Sequence, residues 1–140
     1  MRASSIPDRH RTRGITALET LTLLPVFLLL LLSIIDMTRL LWTRSILAHA
    51  ARETARYATV HGSASDDPAT AAVLRQQFLE SSYAINPAAL TLSTTPNWDD
   101  ESGPGTRFRL VANYEFAFLW DVFPAPSFTL SVYSESSIGP

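Results

Sequence analysis

Apolar and polar positions divide the chain into stretches of different period. From Ile15 to Ile35, a run of 21 residues, the only charge is Glu19. At about 1.5 Å rise per residue, such a helix spans the ~30 Å hydrocarbon core of a bilayer. From Asp36 to about His61 the helical period continues, but as a stripe. Leu40, Leu47, Ala51, Ala55 and Ala58 recur at spacings of 7, 4, 4 and 3 residues, one face of a helix. Arg52, Glu53 and Arg56 lie opposite, with Glu53 and Arg56 three apart and able to pair for a few tenths of a kcal/mol. The alanines admit another backbone at close range, from the domain's own sheet or from a second subunit. Trp42, just past the apolar run, suits a membrane interface. Gly62 and Ser63 end the pattern.

The remainder reads as a small folded unit. Asp67 as N-cap and Pro68 at the first helical position predict a second helix. Ala71, Leu74, Phe78 and Ile85 fall on its inner face, and Asn86-Pro87 stops it. Three period-two runs follow. Leu90, Leu92 and Thr94 form the first; Phe108, Leu110, Ala112, Tyr114, Phe116 and Phe118 the second; Phe128, Leu130 and Val132 the third. The expected fold is α+β: a long N-terminal transmembrane and stalk helix, then one further helix over a three-stranded antiparallel sheet. The expected segments are a basic leader at 1–14, a transmembrane helix at 15–35, an amphipathic extension at 36–62 and an extracytoplasmic domain at 63–140.

Charge orients this arrangement. Residues 1–14 carry Arg2, Arg9, Arg11 and Arg13 against Asp8 alone, while the flank from Asp36 to Ala50 has only Arg39 and Arg44. That bias favours a cytoplasmic N-terminus and a single-pass protein of the cytoplasmic membrane. Cysteine is absent, which excludes disulfides, thiol nucleophiles and Cys-based zinc sites. The net charge of −2 argues against general nucleic-acid binding. Neither a phosphate loop nor a nucleophile elbow occurs, and His10, His49 and His61 share no metal-ligand spacing. No catalytic residue, metal, cofactor or small-molecule substrate is expected.

Glu19 is the candidate for chemistry. A carboxylate inside a membrane helix costs a few kcal/mol at the centre and less near an end. In one reading it snorkels back to interfacial water. In the other, the chain is cut after Gly14 and Ile15 gains a free α-amine, with a reference pKa of about 7.7–8.0, which pairs with Glu19 across staggered neighbours. Removing the leader would leave 7 Arg against 12 acidic residues, a net charge of −5.

A basic leader, Gly14, and an apolar helix with Glu19 at its fifth position follow the prepilin pattern. More narrowly, Arg13-Gly14, Glu19, Leu24-Pro25 and the run Ala50-Ala51-Arg52-Glu53-Thr54-Ala55-Arg56-Tyr57-Ala58 resemble TadE-like proteins of the tight-adherence, Flp-type pilus system. The likeness covers about the first 60 residues, and Thr54 stands where that family would have Gly. It implies a non-enzymatic minor pilin or pseudopilin, cut between Gly14 and Ile15 by a prepilin peptidase. Its partners would be that peptidase, other pilin subunits, pilus-assembly membrane proteins and the lipid bilayer.

Other features have plainer readings. Pro25 bends the span, or unwinds it locally so that subunits slide. Asn97-Trp98-Asp99-Asp100-Glu101 is a solvated hairpin loop rather than a calcium loop, since it lacks the spaced ligands and central Gly. Trp120 and Phe123, beside Pro124 and Pro126, either pack under a helix end or form a partner surface. Two rival functions remain. One is an uncleaved signal-anchored envelope protein whose outer domain binds a partner. The other is a secreted domain released near Ala51.

Overall fold

The computed structural model describes residues 9–119 and 128–139, with side chains from residue 19 onward. Two compact units divide the chain, Met1–Met37 and Thr38–Pro140. Helix α1, Arg9–Val60, contributes to both and continues through Pro25. It begins ahead of the 14/15 boundary, so a change of backbone does not mark that junction.

In the first unit the described side chains are exposed from Glu19 to Met37, apart from half-buried Leu32 and buried Asp36. Ser33 Oγ donates to the Leu29 carbonyl at 2.8 Å, closing its hydroxyl onto the preceding turn.

The second unit is α+β. After the remainder of α1 come α2 (Ala71–Ser81), a 3₁₀ turn (Pro87–Ala89), β1 (Leu90–Thr95), β2 (Arg107–Phe116) and β3 (Phe128–Ser137). The sheet has the order β1-β2-β3 and both pairs are antiparallel. Leu92 faces Ala112, which faces Val132, so one register places the apolar alternates of all three strands on a common face. One buried cluster joins Phe108, Leu110, Ala112 and Phe116 of β2 with Leu74 and Phe78 of α2 and Leu47, Ala51, Ala55 and Ala58 of α1. The alanine stripe therefore packs on the chain's own sheet. The opposite face is polar: Arg109 and Glu135, directly paired in register, form an ion pair, and the Arg109 guanidinium lies 5.2 Å from the centroid of Tyr133.

Two ends of this unit can be told apart. At one, the Arg39 guanidinium sits 5.4 Å from the ring centroid of Phe116, the last residue of β2. At the other, Gly139 N–H donates to the Thr59 carbonyl at 3.0 Å and Ser63 N–H to the Ser102 carbonyl at 2.8 Å. From Arg39 to Thr59 a helix rises about 30 Å, and the ten residues of β2 cover about the same length. Helix and central strand run side by side in opposite senses.

Several local expectations change. The N-cap of α2 is Thr70, not Asp67; its hydroxyl accepts from Val73 N–H at 3.4 Å. The cause is tertiary: Ala69 N–H is held by the His61 carbonyl at 2.9 Å, and Asp99 Oδ1 accepts from Ala71 N–H at 2.9 Å. Two groups from elsewhere thus fix the start three residues later than local capping chemistry indicates. The helix also ends earlier, at Ser81, so Ile85 is buried from the connection beyond it, and Asn86 caps the 3₁₀ turn. Strand β2 stops at Phe116, leaving Phe118 exposed, and β3 continues to Ser137. Trp98 is the largest correction. Its side chain is buried, 5.1 Å edge-on to Phe108, with Nε1–H donating to the Ala69 carbonyl at 2.8 Å. Its neighbours Asp99, Asp100 and Glu101 remain exposed.

Candidate assembly site

The first part of the site is the apolar section of α1. Its most hydrophobic 18-residue window has a mean hydropathy of 2.3, yet only 6% of that window is buried. A core helix of equal hydropathy would be mostly covered. Here Leu21, Leu23, Val26, Phe27 and Leu30 are all more than half exposed, an apolar surface on every side that a bilayer satisfies. Among the described residues this is the single helix long and apolar enough to cross a membrane, and it forms a single-pass anchor. Glu19 is exposed on it, available to a neighbour rather than folded into a core. Gly14 and Ile15 lie within α1 by backbone, and their side chains fall outside the described residues.

The second part is the run from Ala51 to Tyr57, which the fold divides between two tasks. Ala51 and Ala55 are in the core, together with Thr54, where each small side chain lets α1 approach the sheet. Arg52, Glu53 and Arg56 are exposed on the far side of the helix. No ion pair joins Glu53 to Arg56 among the described residues, so the three charged groups present a solvated face. Tyr57 is half-buried and stacks on His61, centroids 3.9 Å apart, and His61 Nδ1 lies 2.9 Å from the Tyr57 carbonyl. This pair closes the last turn of α1 and hands the chain to Gly62.

Residues 14–56 match the family model described as TadE-like protein. Over this stretch, less than half of the chain, the anchor and most of the stalk are similar to TadE-like proteins. The match begins at Gly14 and ends at Arg56, so it encloses Glu19 and most of the stalk run, and it stops short of the sheet. No curated protein and no solved structure matches the chain.

Trp120 and Phe123 lie outside the described residues. Sequence reasoning missed the contact of Arg39 with Phe116, which pins one end of β2 to the stalk. It also missed Gly62, where an added Cβ would come within 2.5 Å of Ile138 Cγ2 and 2.9 Å of the Ser102 carbonyl oxygen. The first had no local signal. The second has one, a Gly at a helix end, which by sequence alone reads as a stop.

Proposed function

We propose that this chain is a TadE-like minor pilin or pseudopilin, a membrane-anchored structural subunit for assembling a Flp-type pilus or a related secretion machine. A prepilin peptidase removes residues 1–14 by cutting between Gly14 and Ile15. The N-terminus faces the cytoplasm and the α+β domain lies outside the cytoplasmic membrane. The new Ile15 amine is cationic at neutral pH and neutralises Glu19 of a neighbouring subunit, so processing switches on docking. Residues Ala51, Arg52, Glu53, Ala55, Arg56 and Tyr57 form a stalk whose small side chains hold the domain while its charged side meets partner subunits.

The observation that carries this reading is one carboxylate, exposed on a lipid-facing apolar helix, five residues past a Gly that opens the family match. An unpaired acid there carries a cost that a cationic partner offsets. The test is the mature N-terminus together with two variants. Mass spectrometry of the protein from cells containing the peptidase should find Ile15 first, and Gly14→Ala should retain the leader. Glu19→Ala should insert normally while co-purifying with partner pilins at a clearly reduced level. A mature protein that keeps residues 1–14 would instead support an uncleaved, signal-anchored envelope protein.

A further inference from the structure

The exposed apolar side chains of the α+β unit are unevenly placed. Trp42, Tyr83, Phe118, Leu119 and Phe128 are 56%, 82%, 42%, 58% and 49% exposed. These five, with Leu41, belong to one end, whereas exposed Val60 and Val73 lie toward the other and exposed Tyr133 on the polar face of the sheet. Phe118 and Leu119 follow β2 just beyond Phe116, whose ring lies against Arg39, and Phe128 is paired with Phe116 in register. Tyr83 adjoins Ala84, which lines a groove of about 410 Å³ with Arg39, Trp42 and Phe116. The opposite end carries Asp66, Asp67, Asp99, Asp100 and Glu101, all exposed. The first end is richer in aromatic side chains, with exposed Glu115 also lining its groove, and the second is richer in carboxylates.

Connectivity decides what covers the apolar end. Arg39 is four residues past Ile35, the last residue of the apolar run, so at most about 6 Å of helix separates them. The headgroup layer beyond the hydrocarbon is about 5–8 Å deep on each side. Arg39 therefore emerges at headgroup level whatever angle the anchor takes, and the end of β2 is in contact with it. Tryptophan, tyrosine and arginine are the side chains such a layer accommodates, with rings at the boundary and charged heads in water.

We propose that this end of the domain is seated in the bilayer interface, with Trp42, Tyr83, Phe118, Leu119 and Phe128 in contact with lipid. The occupant of the patch is the membrane surface rather than a second copy of the chain. The inference rests on the membrane anchor and is independent of leader cleavage or of the Glu19 ion pair.

Because the native chain has no cysteine, single labels are unambiguous. Full-length protein carrying Tyr83→Cys, Leu119→Cys, Phe128→Cys or, as control, Glu101→Cys would each be labelled with an environment-sensitive fluorophore. The chains are reconstituted in phosphatidylethanolamine–phosphatidylglycerol vesicles containing a lipid with a nitroxide near its headgroup, and near-UV circular dichroism verifies the fold. Quenching at positions 83, 119 and 128 several-fold above that at 101, and unchanged when vesicles hold one chain each, is the expected result. Quenching equal to that at 101 would overturn the proposal. So would protection that fades on dilution, since a second copy would then be the cover. Neither outcome bears on cleavage or on Glu19, which the variants of the preceding section test separately.

Discussion

Helix α1 contains two surfaces built on opposite rules. From Glu19 to Met37 its large aliphatic side chains are nearly all exposed, and from Thr38 onward its apolar side chains are buried on one side only. The first section is rich in leucine because any direction meets hydrocarbon, and bulk is tolerated where the solvent is fluid. The second presents Ala50, Ala51, Ala55 and Ala58 because a sheet lies against that stripe and leaves no room for more. Hydrophobicity alone does not distinguish the sections. What separates them is whether the apolar side chains keep to one face, with alanines on that face in the second section.

The sharpest way to test the comparison is to make the same change in each section. Leu47 is 0% exposed in the second, and Leu29 is 50% exposed in the first. Leu47→Ala should lower the stability of the α+β unit by about 2–5 kcal/mol, the cost of lost burial plus a cavity. Leu29→Ala should leave that stability essentially unchanged, because lipid refills the space. Thermal unfolding of the full chain in detergent, followed through the near-UV signal of buried Trp98, reads both variants. Similar melting shifts for the two would mean that the helix is one kind of surface after all.

A smaller effect probes where the buried section stops. Gly62 follows α1 at the point where Ser102 and Ile138 close over the chain. The Ser102 carbonyl is a poor candidate to move, since it also accepts from Ser63 N–H at 2.8 Å. Gly62→Ala should cost about 1–3 kcal/mol through overpacking, which a lowered denaturation midpoint would report. If the midpoint were unchanged, the Ile138 side chain swings aside freely and the end of the helix is looser than its contacts indicate.

The same contrast explains what could be read from the residues. The anchor is visible because a bilayer imposes a demand on composition alone, and Glu19 stands out against it. The stripe and the period-two runs are visible because burial on one face imposes a period. Strand β3 extends past its apolar run because Ser134, Glu135, Ser136 and Ser137, which carry no apolar alternates, pair with β2. Trp98 sits among acidic neighbours, and its burial follows from Phe108 and Ala69, which are distant in sequence. The start of α2 departs from its local signal for the same reason. Locally, Asp67-Pro68 is the better cap, and the hydrogen bonds that the His61 carbonyl and Asp99 Oδ1 accept outweigh it. In the site, Glu19 and the stalk run are legible, while the contact of Arg39 with Phe116 is a product of the fold.

The finest distinction concerns hydroxyls on the two sides of the comparison. Ser33 donates to the Leu29 carbonyl at 2.8 Å and Thr59 to the Arg56 carbonyl at 2.7 Å, each folding its polar group back onto the helix. Thr54 does not. It is 0% exposed within the alanine stripe, and its Oγ1 is buried with no hydrogen-bond partner. A buried hydroxyl without a partner gives up hydration and gains little, a penalty of about 1–3 kcal/mol. Valine has nearly the same shape and a similar helix propensity, so Thr54→Val exchanges the hydroxyl for a methyl and keeps the packing. That variant should be more stable by about 1 kcal/mol, visible as a raised melting temperature. A lowered melting temperature would mean that the hydroxyl is satisfied after all, by a trapped water or by a carbonyl of the helix. The stripe would then be held by a polar contact as well as by its small size.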